Sequence, residues 1–112
     1  MSTPTEQQPR TLEEAEAIVE LFESLQRLEK NPDFKIVFET HLFINEVIRL
    51  HGLLAHPDQA MIDSRDRIIG DLDALSNLKF TLQMIRTIGS SVKIQIEEYI
   101  TAEAEAREAG EA

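Results

Sequence analysis

Between Ile68 and Tyr99 the chain carries two interleaved seven-residue sets, and they constrain its fold more than any other feature. One set reads Ile68, Leu75, Leu82, Gly89, Ile96, and the other, three residues on, reads Asp71, Leu78, Ile85, Val92, Tyr99. Eight of these ten positions are apolar, the spacing of a long helix that packs lengthwise against other helices. The seam predicts an all-α fold: a three-helix arrangement with a long C-terminal heptad helix, coiled-coil-like. Leu78, Leu82, Ile85 and Val92 are its expected buried residues.

Helix-start chemistry divides the chain ahead of that seam. Thr11 followed by Glu14 is a capping-box pattern, in which hydroxyl and carboxylate satisfy end amides. A first helix then runs to about Lys30, with Ala15, Ile18, Phe22 and Leu25 on one stripe. Asn31-Pro32-Asp33 supplies a side-chain cap, a proline at the first helical position and an acid at the positive helix end. The second helix is expected from Pro32 to about Leu54. With α periodicity, Val37, Ile44, Val47, Ile48 and Leu50 share a broad face with Ile36, Phe43 and Leu54, while Phe34, Phe38, Leu42 and Leu53 lie largely elsewhere. A helix so apolar around its circumference is expected to be central and covered on more than one side. His56-Pro57-Asp58 repeats the start chemistry and opens a third helix, expected to continue unbroken to about Ala106. Gly70 and Gly89-Ser90-Ser91 are its weak points. Gly89, on the seam itself, reads as a close-contact or kink position because the heptad register continues through it.

At 112 residues the chain fits one domain, expected as a flexible N-terminal tail over 1–10, a helical domain over 11–100 and an acidic frayed tail over 101–112. A net charge of −10 argues against duplex nucleic-acid binding, which needs clustered Lys and Arg. Cysteine is absent, which excludes disulfide and thiolate chemistry. The polar stretch Met1–Pro9 lacks the apolar core of a secretory signal, and no apolar run approaches a membrane span, so no membrane association is expected.

Three groups of residues invite a chemical reading. His56-Pro57-Asp58 is the tripeptide found between the helices of J-domain co-chaperones, but the preceding helix lacks their basic character, and helix-start chemistry explains it more simply. His41, His51 and His56 have no partner at the three- or four-residue spacing that puts two metal ligands on one helix face. His51 reads instead as a partly buried residue with a hydrogen-bond partner. Asp63, Asp66, Asp71 and Asp73, interleaved with Arg65 and Arg67, read as a salt-bridged surface at a helix start. No catalytic residue, cofactor or metal site is expected, and the chain reads as a non-enzyme. One surface pattern remains: Lys79, Arg86 and Lys93 recur every seven residues beside the seam and could set orientation against an acidic helix. With Val92, Ile96 and Tyr99 they form the expected interaction surface, for a homo-oligomer or another protein.

Three stretches carry a resemblance. They are Leu25-x-x-Leu28-x-x-Asn31-Pro32-Asp33-Phe34-Lys35-x-x-Phe38, Glu46-x-x-Arg49-Leu50-x-x-Leu53-Leu54, and Leu72-x-x-Leu75-x-x-Leu78-Lys79-x-x-Leu82. Over about residues 20–100 the chain resembles small all-helical proteins encoded among the virion and packaging genes of tailed bacteriophages. The resemblance implies a phage virion-associated or head/packaging accessory role, with another phage structural protein as a partner. It also implies a location in the host cytoplasm during assembly or in the virion. The alternative reading is a small acidic host-directed inhibitor module.

Overall fold

All three helix starts foreseen in the sequence form, two through the expected cap; at His56-Pro57-Asp58 the cap is Asp58 rather than His56, and Pro57 precedes the helix instead of opening it. The structure, a computed structural model, describes residues 9–111. It is all-α, with no strand among the described residues. The first helix, α1, spans Leu12–Glu29. Glu14 N–H donates to Thr11 Oγ1 at 3.1 Å, and the Glu14 carboxylate accepts from Arg10 N–H at 2.8 Å. Asn31 then caps α2, its Oδ1 accepting from Asp33 N–H at 2.9 Å, with Pro32 as the first helical residue.

The second helix, α2, departs from expectation. It is α-helical over Pro32–Phe34, π-helical over Lys35–Glu46 and α-helical again over Val47–Leu54. The expected inner face holds only in part: Leu50 is buried and Phe43, Val47 and Leu54 are half-buried, but Val37, Ile44 and Ile48 are 48%, 52% and 66% exposed, and Ile36 is 62% exposed. This helix is therefore not covered all round. The inward row is Phe34, Phe38, Leu42, Glu46, Leu50 and Leu54, every fourth residue, each buried or half-buried. A strict four-residue period exceeds the 3.6 residues of an α turn, so on an α-helix the row would spiral around the axis. The i→i+5 bonding of the π segment underwinds the helix, so the row drifts there in the opposite sense to its drift in the flanking α segments and the two offset each other. Aromatic contacts follow the same register. Phe34 and Phe38 stack with ring centroids 4.7 Å apart, and Phe38 meets Phe43, five residues on, at 6.4 Å.

Glu46 is the one charged member of that row. Arg49 grips it with both arms, Nε donating to Oε1 at 3.0 Å and Nη2 to Oε2 at 2.8 Å. This hydrogen bonding holds the Glu46 carboxyl below its ordinary value. A depressed folded-state value contributes stability that is present above the unfolded-state pKa and is lost as pH falls through the folded one. Glu46→Gln is therefore expected to lower the melting temperature slightly at neutral pH and leave it unchanged at the acid end, flattening part of the acid limb from above.

After α2 the short helix α3, Gln59–Asp63, is capped by Asp58, whose Oδ1 accepts from Ala60 N–H at 2.8 Å. It does not run on as expected. Ser64 turns the chain at φ −93°, ψ 5°, and its N–H and hydroxyl both donate to the Ala60 carbonyl, at 3.2 and 2.9 Å. A serine that satisfies backbone in this way competes with helix continuation. The long helix α4 then spans Arg65–Glu111, 47 residues, unbroken at both Gly70 and Gly89. A Cβ at Gly70 would meet nothing within 4 Å. Gly70→Ala should thus stabilise the protein by about 1 kcal/mol, the helix-propensity difference, and raise the denaturant midpoint.

Packing divides the chain into two units, and α1 and α4 contribute to both. One unit takes the described residues up to Leu25 and those from Met84 onward. Within it Ala15, Phe22 and Leu25 of α1 and Gly89 and Val92 of α4 are buried. Gly89 is a close-contact position: a Cβ built there would overlap Phe22 Cβ and lie 2.6 Å from its Cγ. The other unit, Gln26–Gln83, buries Phe34, Leu50 and Ile68. Of the four residues expected deep in the seam, only Val92 is fully buried; Leu78, Leu82 and Ile85 are half-buried.

Of the N-terminal tail, residues 1–8 lie outside the described residues, and Pro9 and Arg10 precede α1 without helical structure. At the other end α4 stays helical to Glu111, with every side chain over 101–110 exposed. Removing Thr101–Ala112 should leave the melting transition of the remainder nearly unchanged. Amides there should exchange fastest in α4, since they lie under no buried contact.

Candidate functional site

The inward row of α2 ends at a cleft in the Gln26–Gln83 unit. Leu50 and Leu53 from α2, Met61 from α3 and Ile68 from α4 make an apolar floor. Arg49, Ser64, Arg67 and Asp71 form its rim, and the cleft holds about 210 Å³. Ser64 separates α3 from α4 along this stretch, and Met61 and Ile68, seven residues apart, line the depression with Leu50.

The two rim arginines differ. Arg49 is committed within the chain: its hydrogen bonds to Glu46, and to a lesser extent the nearby charge of Asp71, raise its pKa further above the ordinary value. Arg67 is exposed and forms no ion pair among the described residues. The same holds for Arg65, Asp63, Asp66, Asp71 and Asp73, so the expected salt-bridged surface at this helix start does not form. Asp63 instead accepts from Gln59 Nε2 at 3.0 Å, and the others stay exposed, where an ion pair contributes little.

The expected interaction residues are not all available to a partner. Lys79 is exposed and belongs to the Gln26–Gln83 unit, whereas Arg86 and Lys93 are half-buried in the other unit. Val92, 3% exposed, is core and cannot be a docking residue without opening the packing of its unit. Ile96 is half-buried. Tyr99 is open, 59% exposed, and its hydroxyl donates to Glu103 Oε1 at 3.2 Å. Ile94 and Ile100 beside it are exposed as well. Sequence reasoning missed Arg67, Leu53 and Met61 as a group; no periodicity links residues across a corner.

The histidines follow local geometry. His56 Nδ1 accepts from Asp58 N–H at 3.1 Å, and Asp58 caps α3, so this His-Pro-Asp is used as helix-start chemistry. His41 is exposed, and so is His51, against the expectation of partial burial. No group of three or more His, Asp or Glu side chains is placed to hold a metal ion among the described residues. None of the helices there is long and apolar enough to cross a membrane. No family model, curated protein or solved structure matches the chain.

Proposed function

We propose that the protein is a non-enzymatic assembly protein that acts through helix–helix association, in the setting of tailed-phage head or packaging accessory proteins. The carrying observation is the balance of apolar surface. Among the described residues thirteen large hydrophobic side chains are exposed, against seven hydrophobic residues that are buried. Scattered apolar residues on a surface are ordinary, but Ile36, Ile44 and Ile48 follow one another along a single helix. Exposed apolar rows of that kind are partner surfaces. The phage setting is supported by the resemblance of residues 20–100 alone. Sedimentation across a concentration series tests association: more than one chain per particle is expected, and a stable monomer at high micromolar concentration would remove self-association from the proposal. Mass spectrometry of purified virions and of assembly intermediates tests the setting.

A further inference from the structure

We infer that α2 pairs with α2 of a second copy, antiparallel across a two-fold axis at Ile44, through the row Ile36, Thr40, Ile44, Ile48 and Gly52. The inference rests on the assembly reading and names its partner and face.

The register that sets the core also sets this row. Phe34, Phe38, Leu42, Glu46 and Leu50 point inward, so the residues two further on stand on the opposite side of α2. All five are exposed and none is charged. The row lies wholly within the Gln26–Gln83 unit.

Charge decides which partner such a row admits. The chain carries a net −10, so two copies repel wherever their acids meet. Leu12, Leu21 and Leu28 are exposed on α1, but among six acids and one base. Ile94, Tyr99 and Ile100 stand beside Glu97, Glu98 and Glu103. In contrast α2 carries three acids against two bases, and Arg49 already neutralises Glu46. Its outward row is the apolar surface at which a second acidic chain meets the least repulsion.

Shape then fixes the pairing. A two-fold contact sets each residue against the one equally far from the centre on the other copy. With Ile44 at the axis the whole row overlaps: Ile44 meets its equivalent, Ile48 meets Thr40, and Ile36 meets Gly52. Within its own chain nothing calls for glycine at position 52. Its φ is not positive, a Cβ there would meet nothing within 4 Å, and glycine is the poorest helix former after proline. In the pair its bare backbone is the recess that takes Ile36 of the other copy. On the flank, Glu39 is exposed and has no ion pair among the described residues, and it comes beside His51 of the other copy.

The chain has no cysteine, so one introduced thiol reports its own surroundings. Ile44→Cys should oxidise to a disulfide-linked dimer, because its equivalents meet at the axis. Ile36→Cys should link to itself at least tenfold more slowly. Each such cysteine faces Gly52 of the other copy, which leaves the two roughly 20 Å apart, and a disulfide needs Cα atoms within about 7 Å. Mixing Ile36→Cys with Gly52→Cys should restore fast linkage. Gly52→Leu fills the recess: the dilute protein should be at least as stable as the wild type and associate at least tenfold more weakly. If the wild type associates but Ile36→Cys links to itself as fast as Ile44→Cys, or Gly52→Leu associates as tightly as the wild type, the α2 pairing is wrong while the assembly reading stands. A wild-type monomer at high micromolar concentration overturns the pairing and self-association together.

Discussion

Gly89→Ala is expected to destabilise the protein by about 3 kcal/mol, the upper end of what overpacking a core costs, even though alanine recovers about 1 kcal/mol of helix propensity. The reason is the identity of the atoms in the way. A methyl group at Gly89 would overlap Phe22 Cβ and crowd its Cγ, with Cδ1 at 3.2 Å. The Cβ is fixed to the α1 backbone and no rotamer change removes it, so α1 and α4 must separate. Separation also loosens Ala15, Leu25 and Val92, which are buried in the same unit. The double variant Phe22→Gly, Gly89→Ala should be less destabilised than the sum of its single changes, because the Phe22 Cβ and the ring in the way are then both gone. Denaturant midpoints of the four proteins measure this coupling, and additive effects would mean that the two helices do not meet at Gly89. Gly70→Ala is the internal control. It is the same substitution in the same helix with no neighbour to strike, and it should move the midpoint the other way.

That contrast shows which parts of the fold are legible in a sequence. The starts at Thr11 and Asn31 can be read directly, because a cap is built by residues two or three positions apart, whereas at His56-Pro57-Asp58 the start is legible but its cap falls on Asp58, two residues later than the Asn31 pattern places it. The close contact at Gly89 is readable for a related reason: a glycine that interrupts neither register nor helix implies a neighbour too near for a side chain. The corner at Ser64 is harder. No glycine or proline marks it, and the serine acts through its own hydrogen bonds to Ala60, a choice available to any serine within a helix. Arg67, on the rim of the cleft, reads in the sequence as one more charge among alternating charges. Tyr99, in contrast, is conspicuous as the chain's single tyrosine. Whether it is buried depends on where α1 lies, and periodicity alone does not fix that. Val92 shows the converse. Its heptad position is right, but the same position serves equally for packing within a chain and between chains.

The second helix provides the sharpest separation between the two readings of its sequence, and the largest expected loss. Phe34→Ala should cost about 3–5 kcal/mol, since it empties a buried aromatic site and removes the stacked contact with Phe38. Domains of this size are stable by only about 5–15 kcal/mol, so a loss of that order leaves α2 unfolded part of the time. Ile48→Ala tests the other face. An α-periodic reading makes Ile48 a core residue with a penalty of 2 kcal/mol or more, on the order of other buried Ile→Ala changes. In the structure it is 66% exposed, and the substitution should change the stability of the dilute protein by roughly 0.5 kcal/mol or less. The four-residue row explains why the two differ. Underwinding over Lys35–Glu46 turns Phe34, Phe38 and Leu42 inward together and leaves Ile36, Ile44 and Ile48 in solvent. Chemical denaturation at low protein concentration separates the alternatives, because it keeps any contribution of Ile48 to association out of the measurement. Equal losses from Phe34→Ala and Ile48→Ala would restore the α-periodic face and remove the π register from α2.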